Sequence, residues 1–477
     1  MNVKRFLLIA FLLFTLSCNT VTQAFTESTA TPVPTMVPSE TASPADIATS
    51  TPEASSTESS TSSVYVPPSC QGIPIATVPP ATTVAEPTPS LETNPPISTD
   101  EQRIVFNDLA NTIDDVYLYP DFNGLDWPSI VANYRAKVES GLDTETFYAE
   151  MASFVFELGD EHSHFESPAQ VAESDAELSG VNNYVGIGVL VQPLPEKGRV
   201  TILAVFPDSS AEHGGLRPHD SILAVDGIPI VDASRGEAYP HRVRGPECTA
   251  VVLTVQSPGE EPHDITFVRY RITASLPIDA RLASTADGSR IGYIFLPTFF
   301  DETVPEQVRN ALEAFGPLDG LILDNRMNGG GSSTVVEPIL SYFTSGTLGS
   351  FVSRTITRPL EVDPEPINNS QTVPMVILVS ENTVSFGEIF SGALQDTGRA
   401  QVVGQTTLGN VETLHGYNFD DGSRVWIAEE RFDPLESHAD WEKEGIVPDV
   451  EAYADWDTFT FENDPSMAAA VELLGHK

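Results

Sequence analysis

The last 200 or so residues alternate short apolar strands with amphipathic helices, and this alternation limits the fold more than any other feature. The segments that read as strands are RIGYIFLPTF, LDGLILD and VPMVILVS, and those that read as helices are ETVPEQVRNALEAFG and TVVEPILSYF. Strands that alternate with helices form a mostly parallel sheet covered on both faces. We therefore predict a mixed α/β core over residues 276–477, with ligands bound at the carboxyl ends of its strands.

Two polar turns follow strands of this core, NRMNGGGSS and ENTVSFGE. Ser385 lies in the second turn, where the chain enters a helix. Serine is a preferred helix N-cap, so capping alone would explain its presence. A helix N-terminus also offers free N–H groups and a positive dipole end, which suit a nucleophile and a developing oxyanion. The local sequence leaves both roles open.

Two further regions precede the core. Residues 101–178 show helical periodicity and predict a helical N-terminal domain that ends in the polar turn GDEHSHFESP. Its HxH pair, with Asp160 and Glu161 beside it, could bind a metal, but no third ligand follows at a metal-site spacing, so we expect no metal and no cofactor. Residues 179–275 read as short strands separated by Gly, Pro and Asp turns, which predicts a small β-rich domain.

The first hundred residues predict export. Residues 1–24 have a charged start and an apolar run too short to span a bilayer, as in a secretory signal peptide. The run ends at Cys18 and resembles a bacterial lipoprotein signal, which implies lipidation of Cys18 and a membrane anchor; cleavage after Ala24 is the alternative. Residues 25–100 are dominated by Ser, Thr and Pro and predict a disordered stalk. In an oxidising compartment Cys70 and Cys248 could pair, or both could remain thiols.

Charge narrows the choice of partners. The formal net charge is −44, so the phosphate backbone of nucleic acids and anionic membrane surfaces would repel the chain. Only five of the 24 basic residues are lysines: Lys4, Lys137, Lys197, Lys443 and Lys477.

Several motifs in one order resemble a known family of peptidases. SFGEIFSGALQD, LILDNRMNGGG, GDEHS and EKEGIVPDV are similar to motifs of the carboxyl-terminal processing proteases and the related tricorn core, over about residues 101–460. The resemblance implies a ClpP/crotonase-like α/β core that hydrolyses peptide bonds of polypeptide substrates through an acyl-enzyme on Ser385, three residues before Glu388. Residues 179–275 resemble the PDZ domain of bacterial proteases, which implies recruitment of substrate C-termini at Gly186, Ile187 and Gly188.

The general base differs between branches of this family. Tail-processing members carry a lysine in TFGKG, but here Asn410 stands at that position. Of the lysines only Lys443 could replace it, and a neighbouring carboxylate would hold its amine protonated. The tricorn-like branch implies His162 as the base and Glu442 as the group that orients it, which is a coherent Ser–His–Glu arrangement. His164, His415 and His438 are alternative bases.

The glycine turn and the helix start supply candidate oxyanion donors. These are the backbone N–H groups of Gly329 or Gly330 and of Phe386. Two rival functions remain: a pseudoprotease that has lost its base and binds peptides through the PDZ domain, and a ligand-binding protein built on the same fold. Reaction with a fluorophosphonate probe would separate a peptidase from both rivals.

Overall fold

The computed structural model describes residues 64–77, 94–160, 162–178, 184–232, 237–273, 275–285 and 288–475. The predicted signal peptide with Cys18, and residues 25–63 and 78–93 of the predicted stalk, lie outside the described residues. From Tyr65 onward the chain forms one compact unit. Within the described ranges, no helix combines the length and the apolar character needed to cross a membrane.

The helical region packs around aromatic side chains. Strand β1 (Ala76–Thr77) precedes this region, whose elements are α1 (Thr99–Val116), α2 (Trp127–Glu139), α3 (Thr144–Phe156), β2 (His164–Glu166) and α4 (Pro168–Leu178). Helix α1 begins at a capping box, because Ser98 N–H donates to Glu101 Oε2 (2.8 Å) and Glu101 N–H donates to Ser98 Oγ (3.4 Å). Phe106, Trp127 and Phe154 fill the core between the first three helices.

The β-rich region follows, as its short apolar segments predicted. Its elements are β3 (Tyr184–Gly186), β4 (Val189–Leu194), β5 (Arg199–Val205), α5 (Ser210–His213), β6 (Ser221–Val225), β7 (Ile228–Pro229), β8 (Val231–Asp232), β9 (Glu237–Ala238), β10 (Thr249–Gln256), β11 (His263–Val268) and β12 (Tyr270–Ile272). The main sheet has the order β1-β10-β6-β5-β4, with β11 also paired to β10. Strand β4 is therefore the last strand on its side of this sheet.

Residues 64–77 depart from the predicted disordered stalk. Cys70 forms a disulfide with Cys248, and β1 pairs in parallel with β10. Val66 and Ile75 pack against the disulfide. The Ser/Thr/Pro-rich average over residues 25–100 hides this short apolar run, which a covalent bond and a neighbouring sheet hold in place. We call residues 64–77 the strap.

The C-terminal part is the predicted α/β core. Its elements are β13 (Asp279–Ser284), β14 (Arg290–Phe295), α6 (Val304–Phe315), β15 (Gly320–Asp324), α7 (Ser333–Phe343), β16 (Gly346–Val352), β17 (Thr357–Val362), β18 (Met375–Val379), α8 (Phe386–Asp396), β19 (Gln401–Gly404), β20 (Thr413–Asn418), β21 (Arg424–Pro434), α9 (Trp441–Glu444), β22 (Val450–Glu451) and α10 (Pro465–Gly475). The central sheet has the order β13-β14-β15-β18-β19-β22 and is parallel except for β13. This architecture confirms the mixed α/β class.

Both faces of the central sheet are covered by helices. Along β15, Leu321 and Leu323 pack with α6, α7 and α8, whereas Ile322 between them packs with α10 on the opposite face. Such two-sided burial explains why these strands read as continuous apolar runs.

A second sheet ties the helical region to the core. Its order is β17-β16-β21-β2, and β2 of the helical region pairs antiparallel with β21, with Phe165 opposite Val425. Phe165 and Val425 belong to the same hydrophobic core as the first three helices. This pairing carries the GDEHS turn, which immediately precedes β2, to the C-terminal part of the chain.

Candidate active site

Ser385 occupies a strained position at the start of α8. Its backbone has φ +57° and ψ −125°, whereas an ordinary N-cap residue is extended with negative φ. Strain of this kind in a residue other than glycine persists where the surrounding structure enforces it, and it concentrates at functional sites. A sharp turn between a strand and a helix is also how a nucleophilic serine is raised above a parallel sheet. The backbone therefore argues against a simple cap.

The glycine turn after β15 lies directly against Ser385. A Cβ placed on Gly330, whose φ is +94°, would lie 2.7 Å from Ser385 Cβ and 3.2 Å from Phe386 N. The N–H group of Gly330 donates to Asn328 Oδ1 (3.0 Å). Among the described residues, no acceptor binds the N–H groups of Gly329 and Phe386. These two groups, rather than Gly330 N–H, are the open donors at the Ser385 turn.

The GDEHS turn presents His162 to a carboxylate from α9. Asp160 Oδ1 accepts hydrogen bonds from His162 N–H (3.1 Å) and Ser163 N–H (2.6 Å), which fixes the turn before β2. His162 Nε2 lies 2.8 Å from Glu442 Oε1. Burial opposes the charged ring, but the hydrogen bond and charge of Glu442, together with the charges of Glu412 and Asp160, outweigh it and raise the pKa of His162 above its usual value. The structure thus pairs two residues that lie 280 positions apart.

Glu388, one turn into α8, is a buried acceptor for four donors. Its Oε1 accepts from Thr407 Oγ1 (2.6 Å) and Gly409 N–H (2.7 Å). Its Oε2 accepts from Asn410 N–H (2.9 Å) and Ser385 N–H (3.1 Å). The carboxylate therefore joins the Ser385 turn to the loop after β19.

The same loop also binds Glu442, the partner of His162. Val411 N–H and Glu412 N–H donate to Glu442 Oε2 at 2.8 and 3.1 Å. The consecutive N–H groups of residues 409–412 are thus divided between two carboxylates, one bonded to Ser385 N–H and the other paired with His162. Through this loop Ser385, Glu442 and His162 belong to one hydrogen-bond network.

The alternative bases have other partners. His164 Nδ1 lies 3.0 Å from the carbonyl oxygen of His162, and His415 Nε2 lies 3.1 Å from Glu430 Oε2. The side chain of His438 is 67% exposed beside Asp433. Lys443 is exposed, and its hydrogen bond to Asp440 raises the pKa of its amine, which keeps it protonated.

Glu412 is a residue of this site that the sequence did not reveal. It is only 4% exposed, and Tyr119 donates its hydroxyl hydrogen to Oε1. Burial and the nearby charge of Glu442 raise the pKa of Glu412 to about 7, although the Tyr119 hydrogen bond opposes the shift. Glu412 lies outside the family motifs and Tyr119 lies 293 residues before it, so no local pattern connects them.

The predicted peptide-binding loop lies at one end of strand β4. A Cβ placed on Gly188 (φ +89°) would lie 2.4 Å from Ser209 Cβ, so only glycine fits there. The carbonyl oxygens of Ile187 and Gly188 accept hydrogen bonds from Ala211 (2.9 Å) and Phe206 (3.0 Å). Their N–H groups have no acceptor among the described residues, whereas Gly186 lies in β3 opposite Tyr270.

Comparison with known proteins agrees with this architecture. The model of peptidase family S41 matches residues 290–452, and that of the tricorn protease C1 domain matches residues 98–150. A carboxyl-terminal-processing protease of Synechocystis sp. is 30% identical over 385 residues, which are 79% of this chain and 87% of the relative. Carboxyl-terminal-processing peptidase 2 (chloroplastic) of Arabidopsis thaliana is 28% identical over 366 residues, covering 73% of this chain and 68% of the relative.

A solved structure shares the fold. The photosystem II D1 C-terminal processing protease superposes with a TM-score of 0.54 and 24% identity, over 73% of this chain and 92% of that one. The sequence relationship and the shared architecture lead to one conclusion. The chain belongs to peptidase family S41, the family of the carboxyl-terminal-processing proteases, and is a serine peptidase.

Proposed function

We propose that this chain is an exported peptidase that works through Ser385, His162 and Glu442 rather than through a serine–lysine pair. The observation that carries the proposal is the pairing of His162 with Glu442, together with the loop that hydrogen-bonds both Glu442 and the carboxylate of the Ser385 turn. Asn410 supplies this loop with a backbone N–H group where related enzymes carry a lysine.

In this mechanism Ser385 Oγ attacks the carbonyl carbon of the scissile peptide bond. His162 accepts the hydroxyl proton at Nδ1, because Nε2 is engaged by Glu442, and the carboxylate stabilises the resulting imidazolium. Gly329 and Phe386 N–H groups bind the negative oxygen of the tetrahedral intermediate.

The same ring then completes the reaction. Imidazolium donates its proton to the leaving amine, the C–N bond breaks and an ester on Ser385 remains. Water attacks this ester while His162 again accepts a proton, and Ser385 Oγ leaves with that proton as the carboxylate product departs.

Labelling with a fluorophosphonate probe tests the assignment. We expect wild-type protein to react, Ser385→Ala to show no reaction, and His162→Ala to react about 10³-fold more slowly or worse. His415→Ala is the matched control, because His415 also pairs with a glutamate but outside the Ser385 network. Undiminished labelling of His162→Ala would overturn the assigned base, and an unreactive wild-type protein would favour the pseudoprotease.

The β-rich region acts in this proposal as a PDZ domain that recruits substrate C-termini. Free N–H groups of Ile187 and Gly188 at the start of the edge strand β4 support this role, since a peptide could add to β4 and place its carboxylate on them. Peptide binding to the Ser385→Ala protein tests this role. The affinity of a peptide with a free C-terminus is compared with that of the same peptide amidated at its C-terminus. Equal affinities would contradict carboxylate recognition.

Export is proposed from the N-terminal sequence and supported by chemistry further along the chain. The Cys70–Cys248 disulfide suits an oxidising compartment outside the cytoplasm. Intact-mass measurement of the protein from its native membrane fraction would show the added mass of acyl chains if Cys18 is lipidated. A mature chain that begins after Ala24 would instead indicate ordinary signal cleavage.

A further inference from the structure

The proposed mechanism assigns no role to Glu412, a buried carboxylate beside the base His162. Glu412 Oε2 lies 3.9 Å from His162 Nε2, and among the described residues it has no hydrogen-bond partner. Glu412 is 4% exposed, so this oxygen is shielded from solvent as well. A buried carboxylate oxygen without a donor is unfavourable unless something positive or protic meets it.

Three ligand atoms converge at this point. His162 Nε2, one oxygen of Glu412 and one oxygen of Glu442 all lie within 4.8 Å of one another. The distances from Nε2 are 2.8 Å to Glu442 and 3.9 Å to Glu412. Ligands of a tetrahedral Zn²⁺ ion lie roughly 3.3 Å apart. Bringing the three atoms to coordinating distance therefore requires their separations to change by up to about 1.5 Å, shared among three side chains, which is within the range of side-chain motion.

Hydrogen bonds from neighbouring groups fix the orientation of the Glu412 and Glu442 carboxylates. Tyr119 donates to Oε1 of Glu412 and leaves Oε2 unoccupied, while Val411 N–H donates to Oε2 of Glu442 and leaves Oε1 facing His162. Hydrogen bonds of this kind orient metal ligands and fix which oxygen faces the ion.

The charge around the three atoms favours a cation. Asp160 lies close enough to influence both His162 and Glu412 electrostatically and adds a third carboxylate. Within the described residues, neither Glu412 nor Glu442 forms an ion pair with a lysine or an arginine. An imidazole ligand favours Zn²⁺ over Mg²⁺ or Ca²⁺, which prefer oxygen ligands alone.

We propose that His162, Glu412 and Glu442 form a Zn²⁺ site whose occupation switches off the peptidase. The inhibitory half of this inference rests on the proposed function; the binding half does not. Zn²⁺ on Nε2 requires that neutral imidazole carry its proton on Nδ1. The ring then cannot accept the proton of Ser385, and Glu442 no longer stabilises an imidazolium. Three protein ligands leave the fourth position to water.

Zinc titration of the Ser385→Ala protein, by competition with a chromophoric chelator, tests the site without any catalysis. We expect one saturable Zn²⁺ per chain, with Ca²⁺ unable to compete. Glu412→Gln in the same background should weaken Zn²⁺ binding about tenfold or more. Glutamine keeps the shape of the side chain and can still accept from Tyr119. His415→Ala, which alters the histidine–carboxylate pair with Glu430, should leave the affinity unchanged.

Absence of one-to-one binding would overturn the site. So would Zn²⁺ affinity that survives both Glu412→Gln and His162→Ala. If Glu412→Gln fails to fold, as judged by circular dichroism, Glu442→Gln and His162→Ala supply the same comparison.

Inhibition is measured separately on the wild-type protein. Fluorophosphonate labelling should slow at least tenfold in saturating Zn²⁺ and recover fully in excess EDTA. Labelling that is unaffected by saturating Zn²⁺ would overturn the regulatory half, whatever the affinity. If Zn²⁺ binds the Ser385→Ala protein as expected but wild-type protein does not label even in EDTA, the proposed function fails and the metal site stands.

Discussion

At the scale of single residues, Glu388 is the group that joins the nucleophile to the rest of the network. Both of its oxygens are saturated, each by two donors, and its side chain is fully buried. Burial raises the pKa of Glu388, and the four hydrogen bonds to the carboxylate oppose that shift. Its role is to position the Ser385 turn and the loop of residues 407–412 relative to one another.

Glu388→Gln should therefore destabilise the protein and disable it. An amide nitrogen would face the N–H groups of Ser385 and Asn410, leaving two donors without an acceptor, so we expect the free energy of unfolding to fall by about 2–4 kcal/mol. Urea denaturation measures this change, and fluorophosphonate labelling measures the loss of reactivity. Glu306→Gln is the control, since Glu306 is also the third residue of its helix but is 68% exposed. Equal effects of the two substitutions would contradict the argument.

Gly330 is a second position near Ser385 where one added carbon atom should reduce activity. Gly330→Ala would place a methyl group 2.7 Å from Ser385 Cβ in a backbone conformation with φ +94°. We expect labelling to fall at least tenfold, about 1.4 kcal/mol in the barrier, because the Ser385 turn must move. Gly259→Ala separates steric from backbone effects, since Gly259 also has positive φ (+77°) but a methyl group there would meet no atom within 4 Å. Labelling of the two variants at the same rate would show that the contact with Ser385 is unimportant.

The motifs of the chain named candidate residues for the site, but not the hydrogen bonds that connect the loops carrying them. Ser385, His162 and Glu442 each lie in a motif with a family likeness, so they could be named from the sequence. The sharing of consecutive N–H groups between Glu388 and Glu442 depends on the path of one loop, which no residue pattern encodes. Glu412 was missed for the same reason: the residues beside its carboxylate, Tyr119 and His162, are both distant in sequence.

At the scale of elements, the strap is held to the β-rich region by the Cys70–Cys248 disulfide and by the pairing of β1 with β10. Replacing both cysteines in Cys70→Ser/Cys248→Ser removes the covalent link across 178 residues. We expect the free energy of unfolding to fall by about 2–4 kcal/mol, mainly because the unfolded chain gains freedom. Chemical denaturation of the double variant, compared with wild type under non-reducing conditions, measures the loss. Wild type in reductant should approach the variant; unchanged stability in both cases would show that β1 alone holds the strap.

The sequence predicted correctly the strands that are buried on both faces and the helices that have one apolar face. The strands β14, β15 and β18 are covered on both faces and appear as unbroken apolar runs, and the helices between them show clear periodicity. The second sheet was not predicted, because β17 and β20 are partly exposed and carry mixed sequences. Its pairing of β2 with β21 joins segments about 260 residues apart, and only the folded chain reveals it.

At the scale of the whole molecule, Trp456 belongs to an interface that joins the β-rich region to the α/β core, where Leu203 packs in the same hydrophobic cluster as Tyr293. His219 Nδ1 lies 2.8 Å from the carbonyl oxygen of Trp456, and Trp456 Nε1 donates to the carbonyl oxygen of Ile202 (3.0 Å). Lys197 reaches Asp455 (2.8 Å) and Asp457 (2.7 Å) from the same side. These contacts join the β-rich region to the segment that precedes helix α10.

His219 makes this interface sensitive to acid. Burial lowers the pKa of His219 below its usual value, with the charge of Arg326 adding to the effect and Asp324, Asp464 and the Trp456 carbonyl opposing it. Below about pH 6.5 the unfolded chain therefore binds more protons at this position than the folded chain does, so the free energy of unfolding must fall as pH falls. One such group contributes at most about 1.4 kcal/mol per pH unit.

His219→Asn should remove this part of the pH dependence while keeping a residue that tolerates the positive φ of +78°. The measurement is the free energy of unfolding between pH 7.5 and 5.5, and the variant should lose less stability over this range than wild type. His438→Asn is the matched control, because His438 also has positive φ (+53°) but is exposed. Both substitutions leave the many carboxylates unchanged. The pH dependence of unfolding that the carboxylates cause is therefore the same in wild type and both variants. Parallel pH curves for wild type and His219→Asn would mean that the ring binds protons equally in the folded and unfolded chain and that acid sensitivity arises elsewhere in this highly acidic chain.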